Sequence, residues 1–463
     1  MGLKPHHHMW IIFVVALLLR FGNMLLIPSE VVLHQEDQQM YINLGQGMLE
    51  TGGFVRPGNG GYDPETERVP LYPMFLASVF GLLGSSLWIV VGIQSIFDAI
   101  TCVIIGRMTA IFVPGALLLG GLLAAVNVTM IVTSGMVLTD TLFLLLFSAF
   151  LLSFIHYLSV RTTLFLVLSV VFLGASVLTR SAGYYLIPVI FLFLIVWWFG
   201  QRDDLKKWLI HAVAFMLCIA LMIGPLLLRN QQQFGVVSIT SQGGTHLLGW
   251  VVPLAKQFSE GSSYAAGQKE MQQRLAEVMQ RDGISELPKN PYLNSAYLSK
   301  VGMEELLSLG VWKLTFAWAS GSILNLASPG LIVMPAVRAL EHPSFYATPG
   351  SNMIDKVINY LTEPGAVLFA TLVATSGFAS LIFFLLQFTG MVIVMSNIKE
   401  YGVWRVVFVV LVILYFLAIT GPVVGVKYRL PLEPFLTVFT VVALFTFKKR
   451  WESRQLLQKE RDD

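Results

Sequence analysis

Apolar runs alternate with short polar islands from one end of the chain to the other. Seven runs are clear: residues 10–27, 87–105, 114–132, 138–158, 163–178, 184–199 and 208–228. A helix needs about 20 apolar residues to cross a bilayer core of about 30 Å, so each run predicts a membrane-spanning helix. Residues 71–84 are also apolar, but as a helix they reach only about 21 Å. They predict a short span or a segment that enters the membrane and returns. Residues 366–395, 404–420 and 430–447 predict three more spans. Residues 311–337 are apolar but interrupted by Lys313, Gly321, Ser328-Pro329-Gly330 and Pro335. The expected fold class is an all-α polytopic membrane protein with about 11 spans, in the range of roughly 10 to 13.

Charge sets the expected orientation, because cytoplasmic loops are enriched in Lys and Arg. If 71–84 does not cross, Lys4, Arg107, Arg161 and the basic run 202–207 share one side. Asp37, Asp140, Arg180 and Arg229-Asn230 then share the other. This puts the N-terminus inside and the first loop, 29–86, outside. The polar region 229–310 becomes an external cap, with an amphipathic helix over 263–281 marked by Tyr264, Met271, Leu275, Val278 and Met279. Residues 1–447 read as one transmembrane domain. The basic tail 448–463 belongs inside, which requires 311–337 to cross twice or not at all. No small-residue cleavage site follows the first span, and no internal repeat is evident.

Composition agrees and excludes other classes. The 463 residues are 56% hydrophobic and 12% charged, against about 25% charged in soluble domains. Mean hydropathy is +0.72. A net charge of +3 without a basic stripe gives no nucleic-acid signal. Cys102 and Cys218 lie in apolar runs, which argues against a disulfide framework or a cysteine metal site. The histidines at 6–8 are a weak metal signal. No phosphate-binding Gly loop, dinucleotide fingerprint, HExxH or GxSxG is present. His34 and His246 read as polar loop residues.

The candidate chemistry lies in the polar islands. Glu36 and Asp37 follow the first span, and Asp37-x-x-x-Tyr41 puts a carboxylate and a phenol on one helical face. A carboxylate at a membrane boundary can act as a general base; a solvated loop acid is the plainer alternative. Thr139-Asp140 opens a span, where an acid either caps the helix or functions. Asp98, mid-span, calls for a polar partner inside the bundle. Arg180, Arg229, Lys427 and Arg429 stand at outer helix ends, against the positive-inside bias. Snorkelling explains each one singly; gathered with two acids, guanidinium groups suit phosphate.

Five stretches in order carry a resemblance. They are Asp37-x-x-x-Tyr41 with Gly52-Gly53-Phe54, then Arg68-Val69-Pro70-Leu71-Tyr72-Pro73, and Leu138-Thr139-Asp140-Thr141. Gly224-Pro225 with Leu228-Arg229-Asn230-Gln231 and Lys427-Tyr428-Arg429-Leu430-Pro431 complete the series. In order and spacing, over about residues 10 to 440, the chain resembles the GT-C superfamily of membrane glycosyltransferases. It looks most like the bacterial branch related to protein O-mannosyltransferases and the lipid A aminoarabinose transferase. Asp140 stands where the family usually has Glu, and Lys427 where it usually has Arg. The resemblance implies transfer of a sugar, with inversion, from a polyprenyl-phosphate donor to an envelope lipid or glycan acceptor. It places the site on the outer face of the bacterial inner membrane. It makes Asp37 the catalytic base, with Asp140 holding the acceptor, the sugar or a basic partner. Arg68, Arg229, Lys427 and Arg429 become donor-phosphate ligands, and Glu36, Tyr41, Tyr72, Arg180 and Asn230 substrate-binding residues. No cofactor is implied; a divalent ion between Asp37, Asp140 and the phosphate stays open, leaning to none. The partners implied are the lipid-linked donor, the acceptor and membrane lipids, with no nucleic acid. A flippase of a lipid-linked sugar, a protein O-glycosyltransferase and a non-catalytic envelope-assembly subunit are the alternatives.

Overall fold

The computed structural model describes residues 4–29, 33–34, 37–58, 60–201, 204–338, 340, 347–363 and 367–462. Among them, eight helices are long and apolar enough to cross a membrane, or nine if one bent pair counts as a span. The chain is an all-α polytopic membrane protein apart from one small hairpin, which the apolar pattern gave no reason to expect.

Helix α1 (Pro5–Leu25) and α4 (Leu87–Phe112) run antiparallel. Arg20 meets Asp98, while Ile12 and Gly106 both lie against Gly121 of α5 (Leu117–Ala125). Helix α4 therefore starts on the side where α1 ends. Everything between them stays on that side, which is called the site face here: α2 (Asp37–Thr51), the hairpin of β1 (Val55–Gly58) and β2 (Gly61–Pro64), and α3 (Leu71–Leu83). The strands pair antiparallel with Val55 opposite Pro64.

Helices α5 and α6 (Val128–Ser134) bend by 56° at the break. Arg20 sits at that break. Its Nε donates to Asp98 Oδ2 at 2.6 Å, and its other nitrogens donate to Ala125 O and, at 3.3 Å, to Ala124 O. Both side chains are buried, so the acid expected to have a partner has one, and the partner also satisfies carbonyls freed by the bend. Arg20 itself was hidden in an apolar run.

The main core lies between α7 (Asp140–Val160), α8 (Thr163–Thr179), α9 (Leu186–Gln201), α10 (Leu205–Phe234), α20 (Val403–Thr420) and α21 (Glu433–Asp462). Lipid supplies no hydrophobic force between helices, so packing itself must hold them. Phe143, Phe147, Phe150 and Phe154 recur on one face of α7. Phe416 stacks edge-on to Phe147 at 5.2 Å, and Phe408 lies 4.5 Å from Phe154. Helix α18 (Val367–Ser396) meets α21 where Gly390 passes Phe439; a Cβ there would fall 1.9 Å from the Phe439 carbonyl.

The cap contains α11 (Gly243–His246), a π-helical turn (Leu247–Val251), α12 (Val252–Glu260), α13 (Tyr264–Arg281) and α14 (Pro291–Ser308). The amphipathic pattern over 263–281 is realised as α13, with Met271 and Val278 buried. Helix α15 (Val311–Ala327) answers the question left by its interruptions. At one end Lys313 pairs with Glu260 of the cap at 2.7 Å. At the other, Asn325 donates to Val423 O and accepts from Gly425 N, beyond the end of α20. Both ends are on the site face, so α15 does not cross. Three short helices, α16 (Pro335–Arg338), α17 (Met353–Leu361) and α19 (Ile398–Tyr401), complete the chain. The 17-residue α8 returns the full length of α7, because Arg180 at its end meets Asp140 at the start of α7. Among the described residues this gives ten traverses, and the eleventh that the apolar pattern suggested is not found.

Breaking a buried ion pair by removing one partner costs about 3–5 kcal/mol. Arg20→Ala is expected to lower the thermal midpoint of the purified protein sharply, and the Arg20→Leu/Asp98→Leu pair to recover part of the loss.

Candidate active site

A cavity of about 890 Å³ opens on the site face between the first loop, the bundle and the cap. Its floor is built on helix ends. Asp140 is the first residue of α7 and ion-pairs with Arg180, the residue that caps α8. Asp140 is 3% exposed, and Thr139 makes no capping hydrogen bond with its side chain. The carboxylate therefore serves an ion pair more than a helix cap. The Arg180 guanidinium also lies 5.9 Å from the Tyr428 ring centre.

Asp37 begins α2 and lines the cavity with its side chain 55% exposed. Lys427 reaches it with Nζ 3.7 Å from Oδ2. Tyr41, one turn on, also lines the cavity, and its ring stands edge-on to Tyr72 at 5.3 Å. Tyr72 is fully buried and does not line the cavity; its hydroxyl donates to Gln94 Oε1 at 2.7 Å. Gln94 in turn donates to Met136 O, and Gln38 of α2 accepts from Val137 N. These bonds dock α2 on the turn leading into α7, which holds Asp37 above Asp140. Glu36, expected beside Asp37, lies outside the described residues.

Arg68 stands on a turn set by Glu65. That carboxylate is buried and accepts from the Glu67 and Arg68 backbone N–H groups at 2.5 and 2.9 Å. Arg68 Nη1 is buried, 3.8 Å from Glu67 Oε2, and has no hydrogen-bond partner. An unmet guanidinium donor facing a cavity is an opening for an oxyanion.

Two expected phosphate ligands lie elsewhere. Arg229 does not line this cavity. It donates to Glu65 O at 2.7 Å, Phe54 O at 3.2 Å and Asn230 Oδ1 at 2.8 Å, so it ties the hairpin to the end of α10. Asn230 is buried and donates to Ser238 O. Arg429 is buried beneath the floor, with Nη1 on Leu326 O and Nε 2.7 Å from Glu433 Oε1, a charge contact without an aligned N–H bond. The structure thus gathers Asp37, Tyr41, Arg68, Asp140, Arg180 and Lys427 at the cavity, and leaves Tyr72, Arg229, Asn230 and Arg429 as its supports.

The cap supplies residues that sequence reasoning passed over. His246, read as an ordinary loop residue, lines the cavity beside Trp250, Tyr292, Ser295 and Ser299. Burial pushes its imidazole below the ordinary histidine value, and the positive charges of Lys427, Arg180 and Arg68 add to this. Gly244 brings α11 onto α14: a Cβ there would fall 2.0 Å from Ser295 O, and Ser295 Oγ accepts from Gly244 N. The pair Gly243-Gly244 was the one signal that something packs closely here. Among the described residues, no three His, Cys, Asp or Glu side chains gather as a metal site.

Fold and site together define an all-α, multi-pass membrane protein with a charged cavity under a cap. No protein-family model and no curated protein sequence matches the chain. Solved structures do match. The oligosaccharyltransferase AglB from Archaeoglobus fulgidus, in complex with an inhibitory peptide and a dolichol-phosphate, aligns with a TM-score of 0.54. Identity is 15%, over 98% of this chain and 52% of that one. An Archaeoglobus fulgidus oligosaccharyltransferase tethered to an acceptor peptide gives 0.51 at 14% identity, over 97% and 50%. ArnT from Cupriavidus metallidurans in the apo state aligns at 0.39 with 14% identity, over 95% and 78%. The chain spans about half the length of the oligosaccharyltransferases it matches. It shares its fold with these two oligosaccharyltransferases over that half of their length.

Losing hydrogen bonds to buried carbonyls leaves them unsatisfied at about 1–3 kcal/mol each. Arg229→Ala is expected to destabilise the protein and to speed backbone hydrogen exchange around Phe54 and Glu65.

Proposed function

We propose that this protein is a glycosyltransferase that moves a sugar from a polyprenyl-phosphate carrier to an envelope lipid or glycan acceptor. The reaction runs at the outer face of the bacterial inner membrane, with inversion at the anomeric carbon. One observation carries the reading: Asp37, with an exposed carboxylate, and Arg68, whose buried Nη1 has no hydrogen-bond partner, line the same cavity. An archaeal oligosaccharyltransferase with this fold was solved with a dolichol-phosphate, which fits a lipid monophosphate as the leaving group here.

In this mechanism the Asp37 carboxylate takes the proton of an acceptor hydroxyl. The freed oxygen attacks the anomeric carbon as the bond from that carbon to the phosphate oxygen breaks. Charge develops on the departing phosphate, and fixed cations aimed at developing charge are often the largest catalytic contribution. Arg68 and Lys427 supply them. Asp140 and Arg180 neutralise one another and hold the floor, so neither acts as the base. Tyr41, wedged by Tyr72, keeps α2 at its height.

Two substitutions separate the roles. Asp37→Asn is expected to lower sugar transfer by about 10²–10⁴-fold while carrier binding persists. Arg68→Ala is expected to weaken carrier binding by roughly ten- to a hundredfold, the equivalent of one charged hydrogen bond. Transfer by Asp37→Asn at the wild-type rate, measured with purified protein and lipid-linked sugar, sinks the mechanism; a wild-type protein that carries the lipid-linked sugar across the membrane without transferring it favours a flippase.

A further inference from the structure

The cap side of the cavity has a wall of its own, and its chemistry bears on which sugars fit. Tyr292, Ser295 and Ser299 recur at i, i+3 and i+7 along α14, so they share one face. His246 and Trp250 are four residues apart on the continuous helical run of α11 and the π turn. All five line the cavity, and none carries a negative charge. Trp250 is held by Tyr264 of α13, with ring centres 5.3 Å apart. An aromatic plane beside hydroxyl groups is a surface that an uncharged polyhydroxy ring can stack on and hydrogen-bond.

The acids are elsewhere, and each already faces a cation of the protein. Asp140 is paired with Arg180, Glu67 with Arg56 at 3.2 Å and Arg68 at 3.8 Å, and Asp37 with Lys427 at 3.7 Å. Arg68 Nη1 has no hydrogen-bond partner, and neither has the hydroxyl of Tyr292, whose side chain is 95% buried by a relative exposure of 5%. Burial pushes that phenol up to about 12, so it stays a neutral hydroxyl. The cap wall sits in the positive field of Lys427, Arg180 and Arg68, the same field that acts on His246.

We infer that the transferred sugar is a polyhydroxy ring without an ammonium group, selected by the acid-free cap wall of His246, Trp250, Tyr292, Ser295 and Ser299 under the cations of the cavity floor. This rests on the lipid-phosphate donor reading above and narrows it. A sugar ammonium at this wall meets like charge and no carboxylate of the wall itself, whereas hydroxyl oxygens meet donors.

The test is binding to purified protein in nanodiscs, with no transfer required. Four probes are compared: polyprenyl phosphate alone, and the same carrier bearing a neutral hexose, an amino sugar or a uronate. The expected result is that the neutral hexose adds affinity over the bare carrier and the amino sugar binds at least about fivefold more weakly than the hexose. An amino-sugar carrier that binds as tightly as the hexose, or more tightly than the uronate, overturns the inference and leaves the donor reading intact. Failure of all four to bind overturns both. Ser299→Asp and His246→Asp each place a carboxylate on the cap wall. Either is expected to improve amino-sugar carrier binding about fivefold relative to hexose carrier. The bare carrier serves as the control for folding. No gain for the amino sugar in a variant that still binds the bare carrier also overturns the inference.

Discussion

The ion pair of Asp140 and Arg180 joins the site-face ends of two neighbouring helices, and the cavity is arranged around it. A lone charge at that depth would be costly, so each side chain makes the other tolerable. The pair fixes where α7 begins and α8 stops, and it gives the Tyr428 ring a cation to pack against. With Tyr428 held, its neighbour Lys427 comes up beside Asp37. Asn325 grips the same loop from behind, and Gly321 lets α15 lie directly on Gly421 and Pro422, where a Cβ would come within 2.6 Å of backbone. The catalytic carboxylate proposed here is therefore positioned from two directions: by α2 docked through Gln38, and by a loop pinned through Tyr428.

A second constraint explains why so many polar residues near this face do not touch the cavity. Irregular backbone at membrane depth must find hydrogen-bond partners within the protein. The first loop turns sharply between β2 and α3, and the chain after α10 is irregular too. Glu65 accepts two backbone N–H groups, Arg229 donates to two carbonyls, and Asn230 and Thr240 each donate to another. Arg20 does the same for the bent pair of helices deeper in the bundle. Polar residues on the site face thus divide between those that satisfy backbone and those left facing the cavity.

That division is what the amino-acid pattern did not show. Apolar runs located the spans well, because lipid demands a continuous apolar surface and a run of residues records it directly. The short 71–84 run, placed wholly on the site face, follows from the same length argument. The pattern also put Asp37, Asp140, Arg68, Arg180 and Lys427 on one face, because helix ends alternate sides. It had no means to separate Arg68 from Arg229 or Lys427 from Arg429. The members of each pair carry the same charge at similar positions, and what separates them is which backbone carbonyls lie nearby. Arg20 escaped notice because one charge inside a span reads as a blemish until its partner, Asp98, is brought to it from 78 residues away. The cap wall was invisible for another reason. Its residues are ordinary loop and helix types, and only the close approach of Gly244 to Ser295 turns them towards one space.

The two acid–base pairs at the cavity differ in the way the proposed reaction requires. Asp140 is buried and Arg180 half-buried, and the two are tightly paired, so separating them is expensive. Asp37 and Lys427 stand 3.7 Å apart with side chains 55% and 38% exposed, and such a contact contributes about 0–1 kcal/mol. The pair that must part, so that one member takes a proton and the other turns to a phosphate, is the one that solvent already loosens. The pair that must not part is the one held out of water. Burial, more than residue type, assigns the two carboxylates their different tasks: one fixes the floor, and the other stays free to react.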